Sequence, residues 1–213
     1  MIGKRNSARG ETVDRLLNPR QVFVLSGPSG VGKNTIAARL CDAGRAVRAV
    51  TATTRPPKEG EQEGHDYHFT TDEQFRRWIE QGKLIEHTNY VGHYYGTPVA
   101  SVNDAAATGL PVLLTIDVDG GIQVKTRWPE TTLVFVRAPS LDELRRRLER
   151  RGRDDAATID RRLLRAQEEE GYAPRYDFCV VNDRLDAAVS EVERIIESRY
   201  KELENEPPFR EDC

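Results

Sequence analysis

The 213-residue chain is 38% hydrophobic and 31% charged, with a formal net charge of −3. This allows one well-packed domain with small insertions, or two small domains, and the balanced charge gives no reason to expect a nucleic-acid or membrane-surface partner. No apolar run approaches the length of a membrane span, and Cys41, Cys179 and Cys213, with no C-x-x-C spacing, predict free thiols in a reducing cytoplasm.

Residues 1–20 hold five basic and two acidic residues and no signal-peptide core, which predicts a flexible leader before a folded unit at 21–204. "QVFVLSG" is a β-branched apolar run ending at Gly27 and reads as a buried strand; "NTIAARLCDAG" follows with helical spacing and a stop at Gly44. Over residues 51–97 the texture turns polar and rich in Pro and Gly. A short helix in "TDEQFRRWIEQG" and strand-like pieces around "LIEHTNYVGHYYGT" predict a small inserted unit there. "LPVLLTIDV" and "TTLVFVRAP" are continuous apolar runs, expected of strands covered on both faces. Residues 141–170 form a helical stretch with nine arginines, nine acidic residues and no lysine, so ion pairs along its faces account for Arg145, Arg146, Arg147 and Arg165. "YDFCVVND" predicts a further buried strand, Leu185, Ala188, Val189, Val192, Ile195 and Ile196 make the stripe of a last helix, and residues 205–213 predict a flexible tail. The alternation of strands and helices predicts an α/β fold around a parallel sheet.

The stretch "GPSGVGKNT" sits between the first strand and the first helix. Gly27, Gly30, Gly32 and Lys33 have the spacing of G-x-x-x-x-G-K-[ST], and Pro28, Ser29 and Val31 fill the loop. Such a loop aims backbone N–H groups at an anion, the helix start adds its positive end, and Lys33 supplies a point charge for the β- and γ-phosphates of ATP. Asn34 replaces the hydroxyl residue that binds Mg²⁺, offering a neutral carbonyl oxygen; the Thr35 hydroxyl points elsewhere around the helix start.

Taken with that loop, "TATTRPPKEGEQEGHDYHF", "EHTNYVGHYYGT", "TIDVDG" and "RRG…RRL" resemble the guanylate kinase family over residues 22–201. The resemblance implies a P-loop three-layer α/β fold with a central parallel sheet, an inserted GMP-binding unit (51–97) and a helical lid (141–170). It implies transfer of the γ-phosphate of ATP to GMP, and to dGMP, with Mg²⁺ as cofactor and no nucleic-acid or membrane partner. It places Arg55, Tyr67 and Tyr95 on the GMP phosphate, where an arginine fork and two phenols satisfy several anionic oxygens. It places Glu86 on guanine N1–H and the 2-amino group, Thr51 and Thr97 on the O6 side, and Asp117 beside the base. Adenine lacks that donor pair and would leave Glu86 unpaired. Arg151 and Arg162 match lid residues that, with Lys33 and Arg55, neutralise the transferring phosphoryl group. Asn182 matches a position near adenine and reads equally well as a cap of the last helix with Asp183.

Taken singly, Arg55 also reads as a solvated loop charge, Tyr67 and Tyr95 as packing aromatics, and Glu86 as a surface acid. The chain departs from the family pattern at Asn34, at Lys58, which replaces a second phosphate-clamping arginine, and at Thr115, which replaces an aspartate. Thr51 replaces a serine, and Asp119 stands at a common Gln position. His65 and His68 have H-x-x-H spacing but no further ligands nearby, so no zinc site is expected. Two other readings follow from the departures: a non-catalytic guanylate-kinase-like binding module, and a phosphotransferase on another phosphorylated substrate. The sequence carries no signal of oligomeric state.

Overall fold

The computed structural model describes residues 18–204 except 91 and 153; the expected leader, up to residue 17, and the expected tail at 205–213 lie outside the described residues. In chain order, β1 (Val22–Ser26) leads through the glycine loop into α1 (Lys33–Asp42) and β2 (Val47–Arg48). The next stretch holds β3 (Ala52–Thr53), β4 (His68–Phe69), α2 (Asp72–Glu80), β5 (Leu84–Tyr90), β6 (His93–Pro98) and α3 (Val99–Ala106). Then come β7 (Val112–Thr115), α4 (Val118–Arg127), β8 (Thr132–Arg137), α5 (Leu141–Arg150), α6 (Ala156–Glu170), β9 (Phe178–Val181) and α7 (Leu185–Glu204).

Five strands form a parallel sheet in the order β2-β7-β1-β8-β9. β1 is buried at every position because both sheet faces are covered. On one face Phe23, Leu25 and Val134 pack with residues of α1, α5, α6 and α7; on the other, Val22, Val24 and Leu133 pack with α3 and α4. From β1 the chain fills one side of the sheet, first the edge with β2 and then the gap with β7, before it crosses to β8 and β9 on the other side, so the strand order reverses at β1. In open α/β sheets ligands bind at the carboxyl ends of the strands beside such a reversal. The glycine loop leaves β1 at that place.

β3, β4, β5 and β6 form a separate sheet in the order β4-β3-β6-β5, with α2 supplying Phe75 to a small core with Ala52 and Leu84. Helix starts follow local capping chemistry: Thr71 accepts from the Gln74 N–H, Ser140 from Glu143 and Asp155 from Thr158.

Three details differ from the sequence reading. The "LPVLLTIDV" strand ends at Thr115, because the Asp117 side chain accepts from the Gly120 N–H and starts α4 at Val118. β9 is an edge strand with Cys179 and Val181 exposed, since among the described residues it pairs only with β8. The arginine-rich stretch is two helices, and α3, α4 and β2 had no distinct periodic signal.

Candidate active site

Gly32 caps α1 in the left-handed region with φ 101°, and a Cβ there would lie 2.4 Å from Asn182 Nδ2. Glycine is therefore needed both for the turn and for the approach of Asn182. Asn182 is buried, and its Nδ2 donates to the Val31 carbonyl at 2.8 Å. It thus fastens the glycine loop to the end of β9 and does not cap α7. Lys33 Nζ donates back to the carbonyls of Gly27 (2.5 Å) and Pro28 (3.0 Å). Burial pushes the Lys33 ammonium down to about 8, partly offset by attraction to Glu169 and Asp117, with Arg151 adding to the depression. Asn34 and Thr35 are exposed at the helix start.

Glu86 lies on β5 opposite Thr97 of β6, and the Thr97 hydroxyl donates to Glu86 Oε1 at 2.6 Å. The carboxyl is 3% exposed. Burial pushes its pKa up to about 7; the Thr97 hydrogen bond pulls it back, and the negative charge of Asp117 raises it further. Asp117 thus acts electrostatically on both Lys33 and Glu86. Its backbone carbonyl accepts from Ser26 Oγ at 2.6 Å, tying it to the end of β1.

Two contacts of α4 hold β5 in place: Gln123 exchanges hydrogen bonds with the His87 N–H and carbonyl, and Arg127 donates to the Leu84 carbonyl at 2.6 Å. Gly120 belongs with them, because a Cβ there would lie 2.9 Å from Glu86 Oε2 and 3.2 Å from Asp117 Oδ1. Sequence reasoning missed Ser26, Gly120 and Gln123. Only the short "DGG" after the strand hinted that bulk was excluded. Replacing Gly120 by Ala is expected to displace Glu86 by a few tenths of an ångström and raise the KM for GMP by about tenfold, leaving ATP affinity unchanged. Steady-state kinetics with each nucleotide varied in turn measures this.

At the other end of the acceptor sheet, Arg55 is half-buried and lies over the Tyr67 ring at 5.5 Å, and, against burial, Glu61 and Tyr95 favour its charged form. Tyr67 and Tyr95 meet edge to face at 6.2 Å. The three expected phosphate ligands are therefore together. Arg55 Nη2 is engaged by both oxygens of Glu61 (2.8 and 2.9 Å), and Nη1 donates to the Pro56 carbonyl. The Lys58 side chain is exposed, and its backbone N–H also donates to Glu61. Thr51 is half-buried, and its carbonyl accepts from the His68 N–H. His68 bonds to Glu63 and His65 to Asp66.

The two helices after β8 bring their arginines to different partners. Arg145 bridges to Asp160 across the helix pair, and Arg146, Arg147 and Arg150 share Glu143. Arg162 pairs with Asp154 at 3.1 Å. Arg151 is exposed and, with Gly30, Gly32, Thr35, Arg147 and Asn182, lines an open cleft of about 370 Å³ beside the glycine loop. Among the described residues no helix is long and apolar enough to cross a membrane.

Comparison with known proteins agrees with this geometry. The family model described as guanylate kinase matches residues 19–199. The chain is 47% identical over 202 residues to a guanylate kinase of Gloeobacter violaceus, covering 94% of each chain. It is 44% identical to that of Latilactobacillus sakei, covering 86% of this chain and 91% of the relative. The crystal structure of guanylate kinase from Anaplasma phagocytophilum superposes with a TM-score of 0.65 at 30% identity, covering 83% and 84% of the two chains. The glycine loop at the sheet's switch point, the buried Glu86–Thr97 pair on the second sheet and this agreement along the whole folded region establish that the chain belongs to the guanylate kinase family.

Proposed function

We propose that the protein transfers the γ-phosphoryl group of ATP to the phosphate of GMP, giving ADP and GDP, and accepts dGMP in the same way. The observation that carries this is the position of Asp117, whose backbone carbonyl is tied by Ser26 to the end of β1, where the glycine loop begins, and whose carboxylate converges with that of Glu86 of the acceptor sheet on Gly120. Two nucleotides laid along these elements would meet with their phosphates between Lys33 and Arg55.

The acceptor atom is an anionic phosphate oxygen, so no general base is required. The P–O bond to the β-phosphate breaks as the bond to GMP forms, and the barrier is the approach of two polyanions. Lys33 takes the β- and γ-phosphates; Arg55, Tyr67 and Tyr95 take the GMP phosphate. Glu86, Thr97, Thr51 and Asp117 hold guanine. Arg151 is already at the ATP cleft, whereas Arg162 must leave Asp154 to reach the transferring group. Arg55 likewise keeps its orientation on Glu61 until phosphate competes for its fork.

Mg²⁺ on the triphosphate would supply charge neutralisation. Asn34 offers one neutral amide oxygen, Thr115 offers no carboxylate, and Asp117 Oδ1 is engaged by Gly120 N–H. Among the described residues no group of three His, Cys, Asp or Glu side chains is placed to hold a metal. This donor set fits a cation held mainly by ATP and water, with Asn34 as the protein's contribution. Asn34→Ser is expected to lower the Mg²⁺ concentration for half-maximal rate about fivefold, since an added hydroxyl ligand contributes on the order of 1 kcal/mol. Coincident Mg²⁺ titrations of the two proteins would refute this role.

The test of the activity is ADP formation from Mg·ATP with GMP, dGMP, AMP, CMP or UMP as acceptor. Turnover restricted to GMP and dGMP is expected. Nucleotide binding without turnover would instead support the binding module, and turnover with another acceptor a different phosphotransferase.

A further inference from the structure

Arg165 takes no part in the mechanism above. It lies on α6 with its guanidinium 5.0 Å from the centre of the Tyr90 ring on β5, and its Nε donates to Glu169 at 2.8 Å. α6 therefore touches the acceptor sheet.

The periodicities of the two elements put this contact in line with the site. Arg162, Arg165 and Glu169 are three and four residues apart, so they share one helix face. Glu86, Thr88 and Tyr90 alternate along β5 and share one sheet face, where Thr88 pairs with Tyr95 and Tyr90 with His93. The guanine-reading and phosphate-binding residues and Tyr90 thus form successive rows on one surface. Arg165 covers the last row. Burial works against its charge, but the hydrogen bond to Glu169 and the fields of Glu169 and Asp117 outweigh that. Glu169 also attracts Lys33. The contacts run from Glu169 through Arg165 to Tyr90.

We propose that Arg165 is a positioning residue that acts through Tyr90, holding α6, and with it Arg162, over the acceptor sheet so that the GMP pocket is already half-closed before substrate arrives. This rests on the guanylate kinase reading for its substrate but not for the contact itself. An arginine over a half-buried tyrosine is a modest attraction, while its partner Glu169 fixes the guanidinium so that little ordering is required. The consequence falls on the acceptor: loss of the contact leaves the glycine loop and the ATP cleft intact and loosens the surface above GMP.

The experiment is a double-mutant cycle with Arg165→Ala, Tyr90→Ala and the pair. The KM for GMP and the dissociation constant for ATP are measured for each, with amide hydrogen exchange of α6 and β5 in the absence of nucleotide. Each single variant is expected to raise the KM for GMP by about three- to tenfold, to change ATP affinity less than twofold, and to speed exchange in both segments. The pair should be no worse than either single variant. Tyr90→Phe, which keeps the ring, should behave as the parent, and Arg165→Lys should recover part of the loss. Independent, additive effects would overturn the proposal, as would unchanged exchange on β5 in Arg165→Ala. If the parent turned over no GMP, the substrate reading would fail, and the exchange data would still decide whether the contact holds α6 to the sheet.

Discussion

Replacing Glu86 by Gln is expected to lower kcat/KM for GMP by about 10² to 10³, because two hydrogen bonds from guanine to a buried carboxylate are exchanged for contacts with an amide that presents a donor to a donor. ATP affinity should be unchanged, since Glu86 faces the acceptor sheet and not the glycine loop. Equal losses for both nucleotides would mean that the residue supports the fold and does not read the base. The pH dependence gives a second signature. Burial raises the carboxyl to about 7, whereas the proposed guanine contact requires the ionised form. The KM for GMP should therefore rise as pH falls below about 7, beyond the change due to the GMP phosphate itself. In Glu86→Gln only the phosphate contribution should remain. Stability should move the other way. With a folded pKa above the unfolded value of 4.5, the native state binds the extra proton, so the carboxyl costs stability progressively between pH 4.5 and about 7. At pH 8 the Gln variant should be more stable by on the order of 2 kcal/mol, the shift less the cost of an imperfectly paired amide. Thermal or urea unfolding at pH 5 and pH 8 measures it; a gap that does not widen with pH would refute the buried-charge explanation.

Lys33→Ala is expected to reduce kcat by about 10² to 10³ with GMP, the range found when one preorganised cation or donor is removed from charge that develops in a transition state. In the free protein this ammonium is turned back onto the Gly27 and Pro28 carbonyls and held down to about 8 by burial. An incoming triphosphate would reverse that depression, so the residue is most strongly charged when ATP is bound. Arg at this position should not restore activity, because a planar fork cannot occupy the space of a compact ammonium curled inside the loop. The Ala variant should retain GMP binding, measurable by calorimetry, because Glu86 and Arg55 lie on the other sheet. Retention of more than a tenth of the parent kcat would exclude Lys33 from charge stabilisation.

The family and the α/β fold were legible in the sequence, and the comparisons bear both out. The strand, glycine loop and helix over residues 22–42 could be read because each depends on neighbours within a few positions. A β-branched run buries on two faces, and glycine alone takes the left-handed turn at Gly32. The grouping of Arg55, Tyr67 and Tyr95 also followed the sequence expectation. The end of β7 did not, since Asp117 caps α4 and stops the strand short of the apolar run's end.

What the sequence determined by itself was the set of chemical groups: a phosphate loop, an arginine with two phenols, and a carboxylate beside threonine hydroxyls. Only the tertiary structure decided their states and partners. Glu86 is raised to about 7 because distant elements bury it and Asp117 faces it. Asn182 closes on Val31 and not on the last helix, Arg55 is turned onto Glu61, and Arg165 reaches from one helix to Tyr90 on another sheet. Backbone preferences and caps act over one turn of chain and are written locally. A charge state depends on solvent exclusion and fields summed over all surrounding elements, which no local pattern contains.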